Sequence, residues 1–132
     1  MKLKCFKNKK GQSLVETALV LPIIILLLTG IVDFGLLFNN YLVVSNASRE
    51  GARSAITGST NEQIRAVVNT VAASLDPDKL DVTISPDLLV GRSTGVAVVV
   101  TVKYDYSMVT PIIAALVPGP FQLKTSTTMR CE

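Results

Sequence analysis

The sequence predicts an α+β protein in which a long N-terminal transmembrane and stalk helix carries a small head. Three observations lead to this fold class: a long apolar run near the N-terminus, a helical pattern that continues beyond it, and two-residue alternation toward the C-terminus. A second amphipathic helix and a small antiparallel sheet of about three strands are expected to form the head.

The chain begins with a basic segment, which holds five lysines and no acid within residues 1–11. Leu14–Val32 follows, with Glu16 as its only charged residue. As a helix this run is roughly 28 Å long, close to the ~30 Å hydrocarbon core of a bilayer. Because lysines precede the run and none directly follows it, we expect a cytoplasmic N-terminus and an exported C-terminus.

Two interpretations of this layout compete. The apolar run is either the core of a secretory signal peptide or a retained membrane helix. The run is long for a signal peptide, and DFGLLFNNYLVV follows it instead of a small-residue cleavage site. These features favour the retained helix.

The helical pattern continues past Asp33, because apolar residues recur at three- and four-residue steps as far as Val44. We expect the helix to run through NASREGARSAI to about Ile56 and to stop at Gly58. The predicted organisation is a cleaved basic leader at 1–11, a transmembrane helix at 12–33, its exported continuation at 34–57 and an α+β head at 58–132.

The head begins with a second helix. Ser59 or Thr60 is expected to cap it, with Glu62 or Gln63 completing a capping box, and Pro77 prevents its continuation. The period then changes to two. Strands are predicted at 81–85, 96–106 and 121–130, with a polar turn region at 86–95 and a short apolar helical turn between Pro111 and Pro118.

Glu16 is the first candidate functional residue, since a charged side chain within a span costs about 2.5–3.5 kcal/mol at its centre and less near its edge. In one interpretation Glu16 lies at the headgroup level and is solvated. In the other it pairs with a positive group. Cleavage after Gly11 would create such a group, the α-amine of Gln12, which lies four residues before Glu16 and therefore one helical turn away.

Pro22 is the second unusual residue of the apolar run. It removes a backbone hydrogen bond and predicts a kink in the helix. Pro22 is either a tolerated membrane proline or a weak point that lets the helix bend during packing.

A charged group follows on the exported part of the helix, where Arg49, Glu50 and Arg53 lie within a turn of each other. They form either a solvated face, in which Glu50 can pair with Arg53, or a surface that docks onto the head or a partner subunit. Gly51 between them would let another backbone approach closely.

The sequence offers little for catalysis. It has no histidine, and no nucleophile–base pair, phosphate loop or metal cluster is evident. Asp76, Asp78 and Asp81 lack the glycine and the terminal glutamate of a calcium loop and are predicted to form a polar turn. We expect no enzyme activity, cofactor, metal, small-molecule substrate or nucleic-acid partner. Cys5 and Cys131 are expected to be unpaired thiols.

Two segments carry a family resemblance. KKGQSLVE before a long apolar run resembles the type III signal of type IV pilin-like proteins. GQSLVETALVLPIIILLLTGIVDFGLLF with NASREGAR is similar to the TadE-like family of minor pilins or pseudopilins from Tad (Flp) pilus and secretion systems. The resemblance is strongest over residues 9–55.

The resemblance implies a structural subunit of the cytoplasmic membrane that joins or primes a thin pilus. A prepilin peptidase would cut after Gly11, leaving Gln12 as the N-terminus. Glu16 would then neutralise a neighbour's N-terminal amine during assembly. The implied partners are the peptidase, other pilin subunits, the Tad assembly machinery and the lipid bilayer. The alternative is an uncleaved single-pass membrane protein whose exported head binds a ligand or partner protein.

Overall fold

A computed structural model describes residues 9–86, 95–116 and 119–131. Most of the predicted leader, including Cys5, and the tip of the predicted turn at Gly91–Ser93 lie outside these residues. The elements follow in the order α1 (Lys9–Ile56), α2 (Asn61–Val71), a 3₁₀ turn (Pro77–Lys79), β1 (Leu80–Ser85), β2 (Ala97–Tyr106), α3 (Pro111–Leu116) and β3 (Phe121–Arg130). The three strands form an antiparallel sheet in the order β1-β2-β3, which confirms the predicted α+β class.

α1 is a single helix of 48 residues, and it continues without interruption across Pro22. It ends where the sequence predicts. Thr57 and Gly58 donate their backbone N–H groups to Ser54 and Ala55 carbonyls at 3.3 and 3.4 Å, and Gly58 adopts a φ of 84°. This left-handed conformation is accessible to glycine without a Cβ penalty, so it ends the helix at little cost.

α2 begins with the predicted capping box. The sequence offers two candidates for the N-cap residue and two for its partner three residues later. In the structure the N-cap is Thr60 and its partner is Gln63. The Thr60 hydroxyl accepts from the Gln63 N–H at 3.3 Å, and the Gln63 side chain accepts from the Thr60 N–H at 2.9 Å. The buried face of α2 carries Ile64 and Val68, which pack into the core of the head.

β2 is the central strand, and its two faces differ as the alternation predicts. The face toward α1 and α2 is buried along its length, through Val98, Val100, Val102, Tyr104 and Tyr106. The other face is partly exposed and carries Lys103, whose ammonium lies 3.8 Å from the Asp81 carboxylate on β1. Burial of one face only fixes the register of the strand, because a shift by one residue would turn Val98, Val100 and Val102 outward.

The strands lie along the C-terminal half of α1. Val100 near the start of β2 lies beside Gly51, whereas Thr110, just beyond the end of β2, reaches Asp33. β2 therefore runs back along α1 toward its apolar N-terminal half. The connection between β2 and β3, which includes α3, is consequently the part of the head nearest to that half.

Candidate functional site on the first helix

The N-terminal half of α1 is an unusually apolar exposed surface. Between Gly11 and Val32 every residue is exposed except Thr29 and Gly30, which are partly buried. Leucine, isoleucine and valine dominate this stretch on all sides of the helix. Within the described residues α1 is the one helix long and apolar enough to cross a membrane. A soluble surface rarely carries an apolar patch of this extent, whereas a lipid-facing helix requires one.

Gly11, Gln12 and Glu16 lie in the first turns of α1. All three are exposed, and a Cβ built on Gly11 would meet no atom within 4 Å. Gln12 and Glu16 border one shallow open groove together with Gly11, Val15 and Leu19. Within the described residues no hydrogen bond or ion pair engages the Glu16 carboxylate. The helix thus places Gln12 and Glu16 on one side, and the cleavage and pairing roles stay predictions.

Pro22 lies in the middle of this exposed half. α1 is assigned as helix on both sides of it, and the neighbouring side chains remain uncovered. A bend at Pro22 with a task in packing stays a prediction.

The C-terminal half of α1 presents a different surface. Five small residues share its buried face and are here called the small-residue seam: Ala47, Ser48, Gly51, Ala52 and Ala55. At Gly51 the head leaves no room for a larger residue, since an added Cβ would stand 2.8 Å from Val68 Cγ2 of α2 and 3.2 Å from Val100 Cγ1 of β2. Small residues are therefore what allows the sheet and α2 to reach α1.

The charged residues of the same segment point elsewhere. Arg49, Glu50 and Arg53 are exposed, and no ion pair joins them to each other or to the rest of the described chain. The residues of the segment REGAR accordingly lie on two faces of α1, one packed against the head and one exposed. Gly51 packs against valine side chains of this chain's own head, and the three charged residues lie on the uncovered side. Docking of that side onto a partner subunit stays a prediction.

A buried acid marks the boundary between the two halves of α1. Asp33 is only 2% exposed, and its Oδ2 accepts the Thr110 backbone N–H at 3.2 Å. Asp33 Oδ1 and the Tyr106 hydroxyl are also buried, and neither has a hydrogen-bond partner within the described chain. Burial raises the pKa of the Tyr106 phenol, and the negative charge of Asp33 and then Tyr104 raise it further.

The acids predicted to form a polar turn have structural contacts. Asp76 Oδ1 caps the 3₁₀ turn by accepting the Asp78 backbone N–H at 3.2 Å, and Asp81 pairs with Lys103. Cys131 is buried as a free thiol.

Residues 11–53 match the family model described as TadE-like protein. The match confirms the family resemblance predicted from the sequence. It associates the chain with Tad pilus systems in general, and α1 fits the membrane helix of a single-pass protein. No curated protein and no solved structure gives a significant match.

The TadE-like segment coincides with α1 up to Arg53 and stops before the sheet. It begins at Gly11 and includes Glu16, the exposed apolar half, Asp33, and the seam as far as Ala52. The matched segment therefore includes an exposed apolar surface at one end and a surface that packs against the head at the other.

Sequence reasoning missed two polar residues within the TadE-like segment. From the sequence, Asp33 marks only the end of the apolar run, and Ser48 has no expected contact. The Ser48 hydroxyl lies 2.7 Å from the Thr127 hydroxyl of β3, in a contact between α1 and the sheet. A signal was present, because steps of three and four residues from Leu37 through Val44 to the seam place Asp33 and Ser48 on the same helical face.

Proposed function

We propose that this protein is a minor pilin or pseudopilin-like structural subunit of a Tad (Flp) type IV pilus or secretion system. It is inserted in the cytoplasmic membrane with its head exported, is processed by a prepilin peptidase and acts in pilus assembly or priming. One observation supports this most directly. The TadE-like segment carries an exposed carboxylate, Glu16, which has no ion-pair partner among the described residues and lies one helical turn after Gln12 at the start of an apolar helix.

The position of the Gly11–Gln12 bond is compatible with proteolysis. α1 begins at Lys9, so this bond lies in the first helical turn. The first four N–H groups of a helix lack intrahelical acceptors, and glycine weakens the turn further, so local unwinding breaks few hydrogen bonds. Cleavage there removes the basic leader and leaves nearly all of α1, including its contacts with the head.

Cleavage also changes the electrostatics of Glu16. Before the cut, the nearest positive charges belong to the leader, which the peptidase removes. After the cut, the α-amine of Gln12 carries a positive charge at the level of Glu16. At an effective dielectric constant of 20 and a 4 Å separation, two such charges attract by about 4 kcal/mol. A neighbouring subunit can supply the amine, so the pair favours lateral packing of apolar helices.

The exported half of α1 provides a second assembly surface. Arg49, Glu50 and Arg53 are exposed on the exported half of α1, where a neighbouring subunit can reach them. They would contribute orientation more than affinity, since exposed ion pairs contribute about 0–1 kcal/mol each.

The test replaces Glu16 in cells that carry the assembly machinery. We expect Glu16→Gln to be inserted and cleaved, with a mature N-terminus at Gln12 by intact mass, but to lose pilus assembly. Glu62→Gln is the matched control, because Glu62 is an exposed glutamate in the first turn of α2. It is expected to assemble normally.

Two outcomes would count against the proposal. Normal pili from Glu16→Gln would refute pairing with the amine, and a wild-type protein that retains Met1 in the membrane would refute processing. The latter result would favour an uncleaved single-pass protein whose head binds a ligand or partner.

A further inference from the structure

The connection between β2 and β3 exposes aliphatic side chains on the surface of the head. No charged residue lies between Asp105 and Lys124. Val109 is 68% exposed and Ile112 is 50% exposed, and Ala114 and Ala115 are exposed beside them. Aliphatic side chains on a tip without charges are unusual for a surface that faces water on all sides.

This tip lies against the apolar half of α1. Ile113 Cδ1 of α3 is 3.5 Å from the position that a Cβ on Gly30 would occupy. Gly30 lies two residues before Val32, where the apolar run ends. α3 therefore lies beside the last turn of the run. On α1, Leu27 and Ile31 on either side of Gly30 are themselves exposed, so apolar side chains of both helices are exposed at this level.

The backbone of the tip also suits an apolar environment. The Thr110 N–H donates to Asp33 Oδ2 at 3.2 Å, and the Ala114 N–H donates to the Thr110 carbonyl at 3.0 Å. Backbone polar groups must be bonded internally where water is scarce, and these two N–H groups at the start of α3 meet this requirement. The Asp33 carboxylate itself is covered, which keeps its charge away from the surface around α3.

We propose that α3 and Val109 form a second membrane contact, which inserts among lipid acyl chains at the outer boundary of the bilayer. This inference rests on the proposed insertion of the apolar half of α1. α1 crosses the membrane, and α3 enters it from the exported side next to Gly30. The head is thereby held against the bilayer in one orientation, with β1, β2 and β3 extending away from the membrane along α1.

The test measures the depth of single labelled positions in the full chain, reconstituted in phosphatidylethanolamine–phosphatidylglycerol vesicles. Cys5→Ser and Cys131→Ala remove the native thiols. An environment-sensitive NBD label is then placed at Val109→Cys or Ile112→Cys. Leu27→Cys is the control within the apolar half of α1. Thr128→Cys is the control on the exposed face of β3, near the end of the strand farthest from α3.

We expect the labels at 109, 112 and 27 to emit at shorter wavelength than the label at 128. Lipids with a doxyl quencher on the acyl chain should quench these three labels several-fold more strongly than the label at 128. Equal melting temperatures by circular dichroism verify that each labelled head is folded.

Three outcomes would overturn the inference. If the label at 27 is quenched while those at 109 and 112 behave like the label at 128, the span stands and the second contact is refuted. Labels at 109 and 112 that are shielded from water but insensitive to doxyl lipid, with a signal that grows with the protein-to-lipid ratio, would show that another copy of the chain covers α3. An unquenched label at 27 would refute membrane insertion itself and with it both proposals.

Discussion

Residues 11–32 and residues 33–56 belong to one continuous helix, yet they differ in side-chain size and in what covers them. The first half carries large aliphatic residues and leaves them exposed. The second half buries the small-residue seam against the sheet and α2. The more hydrophobic half is thus the less buried one, the reverse of what hydrophobic burial within a single soluble domain would give.

Side-chain size, more than hydrophobicity, distinguishes the exposed half of α1 from the half that packs against the head. Lipid chains adapt to any apolar shape, so leucine and isoleucine suffice where lipid is the partner. A folded head cannot adapt in this way, and its own Val68 and Val100 need space beside α1. Small residues on the helix provide that space, and the seam as far as Ala52 lies within the TadE-like segment.

The largest expected effect comes from filling the seam. Gly51→Leu places a side chain where even a Cβ would be 2.8 Å from Val68 Cγ2. Overpacking of a core costs typically about 1–3 kcal/mol, and we expect the upper end or more because both neighbours belong to packed elements. Urea unfolding of the full chain in detergent micelles, followed by circular dichroism, measures the loss of free energy of unfolding.

Gly35→Leu is the matched control, because a Cβ at Gly35 would meet no atom within 4 Å. Leucine is favoured over glycine in helices by up to about 1 kcal/mol, so this variant should be as stable as the wild type or more so. Equal destabilisation by Gly35→Leu and Gly51→Leu would show that crowding by Val68 and Val100 does not limit side-chain size at Gly51.

The elements of the fold could be predicted from the sequence because their signals are local. The three-residue spacing of Thr60 and Gln63 identifies the start of α2, and the two-residue alternation of β2 identifies its buried face. Gly58 likewise marks the end of α1 from its own conformational freedom.

The contacts between elements could not be predicted in the same way. Asp33 meets Thr110 across 77 positions of sequence, and Ser48 meets Thr127 across 79. Such pairs depend on which strand lies against α1 and in which register, and no short-range pattern fixes either. The sequence predicts that Gly51 lets another backbone approach closely. In the structure the side chains of Val68 and Val100 lie beside it instead.

A smaller effect is expected for the polar contact across the seam. Ser48 is fully buried, and its hydroxyl lies 2.7 Å from that of Thr127. A double-mutant cycle with Ser48→Ala and Thr127→Val should give a coupling energy of about 0.5–1.5 kcal/mol, the net contribution of one hydrogen bond. Additive single-variant effects in urea unfolding would instead mean that the two hydroxyls do not interact in solution.

The smallest change in the free energy of unfolding at neutral pH is expected for Tyr106, which lies near Asp33 at the boundary between the two halves of α1. The Tyr106 hydroxyl is buried and has no hydrogen-bond partner within the described residues. Tyr106→Phe removes that hydroxyl and keeps the packing of the ring. We therefore expect the free energy of unfolding at pH 7 to change by less than about 1 kcal/mol. A larger loss would show that the hydroxyl is bonded in solution.

The free energy of unfolding of Tyr106→Phe should differ in its pH dependence from that of the wild type at high pH. Burial, with the charges of Asp33 and then Tyr104, raises the pKa of the folded Tyr106 phenol above the value of about 10 that is ordinary for tyrosine. The folded chain then holds this proton more tightly than the unfolded chain. The associated stability is fully present below pH 10 and is lost as the pH rises through the folded pKa. Urea unfolding at pH 7 and at steps above pH 10 should therefore show a steeper decline for the wild type than for Tyr106→Phe. Identical declines would mean that Tyr106 is hydrated, and that the boundary at Asp33 is open to water instead of being covered by the head.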